Sequence, residues 1–378
     1  MQLELSEEQK LVQQAARGFA QDRLAPLAAQ IDREEKIPDE ILSGLAELGL
    51  FGVNVPEALG GAEAGVVAYS LAMQEIAAAC ASTAVTMAVT NMVGEVIAAF
   101  GTDAQKQRCN PRLCSGEWRA GSFALSEPEA GSDPGAMRTT ATLDGDHWVI
   151  DGSKQWITSG DFAGVFVVWA RTGEEGTRGI SCFLVESDAE GLSVGKHEEK
   201  MGLRGSSTTA LHFEGVRVPK SALLGELNGA FKIAMMALDG GRIGIASQAI
   251  GIGDAALREG ISYAKDRRTF GEPIANRQAI QWMIADSRTE LEASRLLALR
   301  AAWMKENGQR FSREAAMAKA YASEAAWKVC DRAVQIHGGY GYTKEYAVER
   351  YLRDVRVTRI YEGTSEIQRI VISRDLLR

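Results

Sequence analysis

Apolar residues recur at helical spacing from the start of the chain. Leu11, Val12, Ala15, Ala16, Phe19 and Ala20 fall on one stripe. Ser6, followed three residues later by Gln9, opens that stripe with a capping-box pattern. Further helical periods run over 39–48, 65–81, 85–100 and 103–114, punctuated by Pro38, Gly60-Gly61 and Gly101. From about residue 121 the period changes. Threonine, valine, tryptophan and glycine turns dominate to about 225, and Asp144-Gly145 and Asp151-Gly152 sit between alternating runs as hairpin signals. Runs at 165–169, 180–185 and 210–213 supply further strands. Helical periodicity then returns in longer runs, at 241–265, 275–306, 312–337, 344–354 and 365–377. The pattern predicts a mainly α fold with an inserted β domain: a helical domain over 1–120, a β-barrel over 121–228 and a helical bundle over 229–378. Clefts between such domains are the usual place for a large ligand.

Composition narrows the function classes. The 378 residues carry a net charge of −8, which argues against a nucleic-acid surface and gives no sign of binding to anionic membranes. Ile76 to Gly94 is uncharged and long enough to suggest a membrane span. Its hydroxyl residues and the flanking Glu75 and Glu95 favour a bent pair of core helices instead. The five cysteines show no paired metal spacing and the four histidines are scattered, so no metal site is predicted and free thiols in a reducing compartment are expected. Met1 leads almost directly into the capping pattern without a signal-peptide signature. That fits a bacterial cytoplasmic protein, or a processed form in the mitochondrial matrix.

Six short segments offer chemistry. Tyr361-Glu362-Gly363-Thr364 places a carboxylate and a glycine in a turn between two helices, a mounting suited to a general base or to a plain solvated loop. Phe123 to Asp133 begins as a strand and breaks into a loop able to offer N–H and hydroxyl donors. Trp156-Ile157-Thr158 closes a strand with an indole beside a hydroxyl, suited to stacking on a planar ring or simply to core packing. Asp239-Gly240-Gly241-Arg242 stands at the mouth of a long helix. Arg267 to Gly271, with Gln278, combines arginine for pyrophosphate with phenylalanine for stacking. Gln335 to Gly341 carries paired glycines, which close approach to a ligand or a helix C-terminus explains equally well.

Taken in order, Ser-Glu-Pro-x-Ala-Gly-Ser-Asp, Trp-Ile-Thr, Asp-Gly-Gly-Arg, Gly-Gly-Tyr-Gly and Tyr-Glu-Gly-Thr-Ser-Glu make the chain resemble the acyl-CoA dehydrogenase family over its whole length. The likeness is to short-chain and branched-chain members and their bacterial forms. The resemblance implies FAD between the β domain and the C-terminal bundle. Phe123, Leu125 and Ser126 would line the isoalloxazine, with Gly131 and Ser132 on the phosphate side and Ser132 also touching the CoA moiety. Trp156, Ile157 and Thr158 would flank the flavin. Arg267, Phe270 and Gln278 would hold the adenosine diphosphate end, together with Gln335, Gly338 and Gly339 of a neighbouring subunit. Thr364 and Glu366 would hold FAD from the last helix. Asp239, Arg242, Tyr361 and Gly363 would meet the substrate. The family's type is a homotetramer that passes electrons to an electron-transfer flavoprotein.

Ser126 stands where threonine is common and can donate the same bond. Some relatives carry the base one residue before the arginine matched by Arg242. Here that residue is Gly241, which leaves Glu362 as the base the resemblance implies. The implied reaction is removal of the α-proton of an acyl-CoA and hydride transfer from Cβ, giving a trans-2-enoyl-CoA. The thioester carbonyl would be polarised by the Glu362 N–H and a ribityl hydroxyl of FAD. An acyl-CoA oxidase, a desulfinase-type relative, an enzyme for dicarboxylyl-CoA and a DNA-binding relative are the alternatives. Residues 77–104 hold no Lys or Arg to face a distal acid, and the C-terminus lacks a basic surface.

Overall fold

The computed structural model describes residues 4–377. Six helices come first: α1 (Glu7–Phe19), α2 (Ala28–Glu34), α3 (Asp39–Glu47), α4 (Val66–Ala79), α5 (Ala81–Phe100) and α6 (Asp103–Cys114). The α1 capping box forms as expected, with Gln9 N–H donating to Ser6 Oγ at 3.1 Å and Ser6 N–H to Gln9 Oε1 at 3.0 Å. The apolar stretch breaks at Cys80, whose extended backbone (φ −151°, ψ 108°) separates α4 from α5. Among the described residues α5 alone is long and apolar enough to cross a membrane. It is instead largely buried, with α4 and α6 among its neighbours.

Eight strands follow: β1 (Gly121–Ala124), β2 (Thr140–Asp144), β3 (His147–Thr158), β4 (Val165–Arg171), β5 (Ile180–Glu186), β6 (Leu192–Val194), β7 (Thr208–Pro219) and β8 (Leu223–Leu224). They form one sheet in the order β6-β7-β3-β2-β4-β5-β8, with β1 parallel to β4. Asp144-Gly145 does turn the chain between β2 and β3. Asp151-Gly152 does not. It lies inside β3 at a register shift against β7, because a Cβ at Gly152 would stand 2.6 Å from Thr139 Oγ1 and only glycine lets the strand run on.

The C-terminal bundle contains α7 (Ala230–Asp266), α8 (Gln278–Glu306), α9 (Ser312–His337), α10 (Val348–Val355) and α11 (Ser365–Leu376), with a small hairpin of β9 (Arg268–Thr269) and β10 (Glu272–Pro273). α7 starts well before the predicted 241, so Asp239-Gly240-Gly241-Arg242 lies inside a continuous helix rather than at its mouth. α7 packs on α4, α5, α8 and α9 and forms the spine of the molecule. Trp169 of β4 donates Nε1–H to the Ala230 carbonyl at 3.0 Å, tying the sheet to the start of α7. Leu203 N–H donates to Asp354 Oδ1 at 2.6 Å, and Arg353 pairs with Asp32 at 2.8 Å. The three regions therefore meet around α10, a few residues before Glu362. All five cysteines are buried and unpaired, and the described residues hold no cluster of metal-ligating side chains.

Candidate active site

Glu362 and Gly363 form the turn that leads into α11, both with left-handed backbone (φ 53° and 87°). A glutamate seldom adopts that conformation, so the turn must be held from outside. Two buried side chains hold it. Lys319 Nζ donates to the Gly363 carbonyl at 2.6 Å, while Gln368 Nε2 donates to the same carbonyl at 2.8 Å and to the Glu362 carbonyl at 3.1 Å. Thr364 caps α11, its Oγ1 accepting from Ile367 N–H at 3.3 Å. With both carbonyls engaged, the Glu362 N–H finds no acceptor among the described residues.

The side chain of Glu362 reaches back over α7. A Cβ at Gly241 would lie 2.6 Å from Glu362 Oε2 and 3.0 Å from its Cδ, so the glycine is the space the carboxylate occupies. The residue as a whole keeps some exposure, but Oε2 is closed from solvent and has no hydrogen-bond partner. Burial pushes the carboxyl up to about 7, against the opposing pull of Arg242 and Lys319. An orphaned, desolvated carboxylate that titrates near neutrality is equipped to take and return a proton.

A channel of about 380 Å³ runs along α7, lined by Tyr69, Met92, Met236, Asp239 and Gly241 among others; Gly241 separates it from the Glu362 carboxylate. Asp239 pairs with Arg242 and accepts from Ser312, which fixes both predicted substrate residues; Arg242 is almost wholly buried. Tyr361 donates to Gln248. Gly240 makes a second cradle, since its Cβ would stand 2.9 Å from Lys305 Nζ. Lys305 pairs with Glu95, which also accepts from Asn54 Nδ2 at 2.7 Å. The channel wall therefore does carry cations, Lys305 from α8 and Arg310 from the loop after it, both outside 77–104; Lys305 is paired with Glu95 and Arg310 with Asp375.

The flavin-type residues separate into two groups. Phe123, Leu125, Ser126, Trp156, Ile157 and Thr158 come together where β1 and β3 end. Ser122 Oγ donates to the Thr158 carbonyl at 2.6 Å, and Gln155 N–H to the Ser126 carbonyl at 2.9 Å. Phe123 packs on Trp169, ring centroids 4.3 Å apart. Trp156 has left-handed backbone (φ 64°) and is 60% exposed. Ile157 points into the sheet core, so only its backbone can face a ligand. Ser132 is exposed, and the space around a Cβ at Gly131 is open. An exposed flat indole, hydroxyl donors and an open glycine loop fit a planar heteroaromatic ring with carbonyl edges.

Arg267, Phe270, Gln278, Gln335, Gly338 and Gly339 are all exposed and lie at the other end of α7. Arg267 stacks over Tyr340, which joins the two motifs within one chain. Gly241 and Arg267 are 26 positions apart, roughly 39 Å along a helix rising about 1.5 Å per residue.

Sequence reasoning missed Lys319, Gln368, Lys305, Glu95 and the pair Lys154–Glu127. Lys319 had one legible signal: it lies among Ala315, Ala316, Ala318 and Ala322, all buried on α9. Lys154 is wholly buried in β3 and bonds Glu127 Oε1 at 2.7 Å and the Leu125 carbonyl at 3.2 Å. Glu127 also accepts from the N–H groups of Arg138 at 2.6 Å and Thr139 at 3.0 Å. Burial pushes the Glu127 carboxyl up, but the Lys154 charge and these donors more than offset it and hold it below the ordinary range. Burial lowers Lys154 to about 8, so the pair is ionised at neutral pH. It ties down the loop that carries Ser126.

Compared with known proteins, residues 6–117, 122–216 and 228–377 match the N-terminal, middle and C-terminal domains of acyl-CoA dehydrogenase. The chain is 50% identical over its whole length to the mitochondrial short-chain specific acyl-CoA dehydrogenase of Bos taurus, covering 92% of that protein. It superposes with TM-score 0.98 and 40% identity on butyryl-CoA dehydrogenase from Megasphaera elsdenii, each chain fully covered. A chain in a structure of the electron transferring flavoprotein of Acidaminococcus fermentans matches at TM-score 0.98 and 43% identity, again over both full lengths. With three domain matches in order and a full-length relative at this identity, the chain belongs to the acyl-CoA dehydrogenase family and is an oxidoreductase of that family.

Proposed function

We propose that this protein is an FAD-dependent dehydrogenase of short- to medium-chain acyl-CoA thioesters, with Glu362 as the base that removes the α-proton. The observation that carries the reading is the Glu362 carboxylate seated on Gly241, a residue of the channel wall, with one oxygen buried and unpaired. FAD, when bound, supplies the acceptor for hydride leaving Cβ. The residues of the chain do the rest. Arg242, fixed by Asp239, orients the entering thioester, and Tyr361 closes the wall beside it. The uncommitted Glu362 N–H donates to the thioester carbonyl, a bond worth about 3–4 kcal/mol in comparable oxyanion sites. The Glu362 carboxylate takes the α-proton on the oxygen that has no other partner. Its desolvation makes it a stronger base than an exposed glutamate.

Ser126, Trp156, Ile157 and Thr158 would hold the flavin ring, with Phe123 and Leu125 behind it and Thr364 and Glu366 at the α11 side. The exposed set at Arg267 and Gly338–Gly339 is too far along α7 from Glu362 to share one cofactor with it. It would serve the adenosine end of FAD in a neighbouring copy. That arrangement supports a homo-oligomer, as do the exposed Phe270 (96%) and Tyr342 (89%), and the family's type makes a homotetramer the proposed form. An electron-transfer flavoprotein is the proposed acceptor, supported by the Acidaminococcus relative and by the exposed edge of Trp156.

Anaerobic mixing with acyl-CoA thioesters from butyryl to palmitoyl, including isobutyryl and isovaleryl, tests the reading. Bleaching of the flavin that is fastest with a short chain supports it, and no bleaching with any of them overturns it. Rapid peroxide formation in air would move the assignment to an oxidase. A second expectation follows from the glycine cradle. Gly241→Ala favours the helix by about 1 kcal/mol, yet it displaces the carboxylate. Flavin reduction should fall roughly 100-fold while thermal stability is retained or raised, as stopped-flow reduction and a thermal melt would show.

A further inference from the structure

Lys319 is a buried titratable group beside the base that the proposed reaction does not use. It is fully inaccessible on α9, and its Nζ reaches across to the Gly363 carbonyl at 2.6 Å. That is the only hydrogen bond its three donors make among the described residues. Nearby, Glu362 Oε2 is a buried acceptor with no donor. The other charges that face this ammonium are engaged or exposed. Arg242 of α7 is paired with Asp239. Glu324 of α9 is held by Arg359 at 2.9 Å and by Ser365 at 3.1 Å. Glu366 of α11 points to solvent.

We infer that Lys319 is the positioning residue of the base: it pegs the left-handed Glu362–Gly363 turn through the Gly363 carbonyl and, together with Arg242, provides counter-charge to the Glu362 carboxylate. This rests on the reading of Glu362 as the base. A buried ammonium whose hydrogen bond ends on a backbone carbonyl gains little stability from that bond. Beside an orphaned carboxylate it has a purpose. It fixes the turn, so the Glu362 N–H stays free, and it favours the charged form of the base without occupying the oxygen that must receive the proton. Burial lowers Lys319 itself to about 7, with Glu362 the largest opposing influence, which agrees with two groups facing one another.

The test is an infrared titration of the holoenzyme, with the Glu362 carboxyl band identified by its loss in Glu362→Gln. In Lys319→Met the Glu362 midpoint should rise by about one pH unit or more, a roughly fivefold loss of ionised base at pH 7. The pH profile of flavin reduction should move with it. Lys319→Arg keeps a permanent charge, so its Glu362 midpoint should stay at or below that of the native protein. A Lys319→Met midpoint equal to the native one overturns the inference. If that variant does not fold, a raised midpoint in Lys319→Arg does so instead. The band titrates whether or not Glu362 is the base. Normal flavin reduction by Glu362→Gln would therefore defeat the base reading separately from the infrared result.

Discussion

Replacing Glu362 by glutamine is expected to slow flavin reduction by roughly 100-fold or more while FAD stays bound. The amide keeps the shape that fills the Gly241 cradle and keeps the backbone N–H, so substrate can still be oriented. It cannot accept the α-proton. Stopped-flow reduction under saturating acyl-CoA, beside the flavin absorbance of the purified variant, separates lost chemistry from lost cofactor. The native rate should climb with pH as the carboxyl ionises around its value of about 7. Stability has the opposite sign. The folded-state value is raised above the ordinary 4.5, so the neutral form favours folding, and that contribution is full below 4.5 and lost as pH rises through about 7. Chemical denaturation of native protein and Glu362→Gln should therefore diverge between those values, by roughly 3 kcal/mol in favour of the variant, and stay parallel above them.

The second large effect is expected at Lys154. Its ammonium and the Glu127 carboxylate are both buried, and removing one leaves the other without its counter-charge. Lys154→Met should cost about 3 kcal/mol, near the lower end for a broken buried pair, because Arg138 and Thr139 still donate to Glu127. Urea unfolding measures the loss. The same change frees the Leu125 carbonyl and the loop through Ser126, so FAD should dissociate more readily, which equilibrium dialysis would show. Adding Glu127→Gln should recover part of the stability. A single variant as stable as the native protein would mean that the pair does not hold this loop.

Much of the architecture was legible because periodicity survives in single segments. The range of α9 is Ser312–His337, where the sequence pattern placed it. Two misplaced boundaries share one cause: a glycine that reads as punctuation is required by a side chain packed against it. Gly240-Gly241 looked like a helix entrance, but packing with Lys305 and Glu362 overrides the helix penalty of roughly 1 kcal/mol per glycine. Gly152 looked like a turn, but Thr139 occupies the space a side chain would need. In the site, Glu362 and the loop residues could be picked out by local motif. Lys154 and Lys305 could not, and Lys319 only through its alanine neighbours, since lysine ordinarily reads as solvated and their partners lie far along the chain. Glu127 is 27 positions from Lys154, Gly363 is 44 from Lys319, and Glu95 is 210 from Lys305.

The central claim is that Glu362 takes the α-proton of an acyl-CoA. It is tested most directly by anaerobic single-turnover flavin reduction with butyryl-CoA carrying deuterium at Cα, in the native protein and in Glu362→Gln. The account predicts that Cα deuterium slows bleaching in the native protein and that the FAD-loaded variant bleaches at least about 100-fold more slowly with either substrate. Near-native bleaching by the FAD-loaded variant would contradict it.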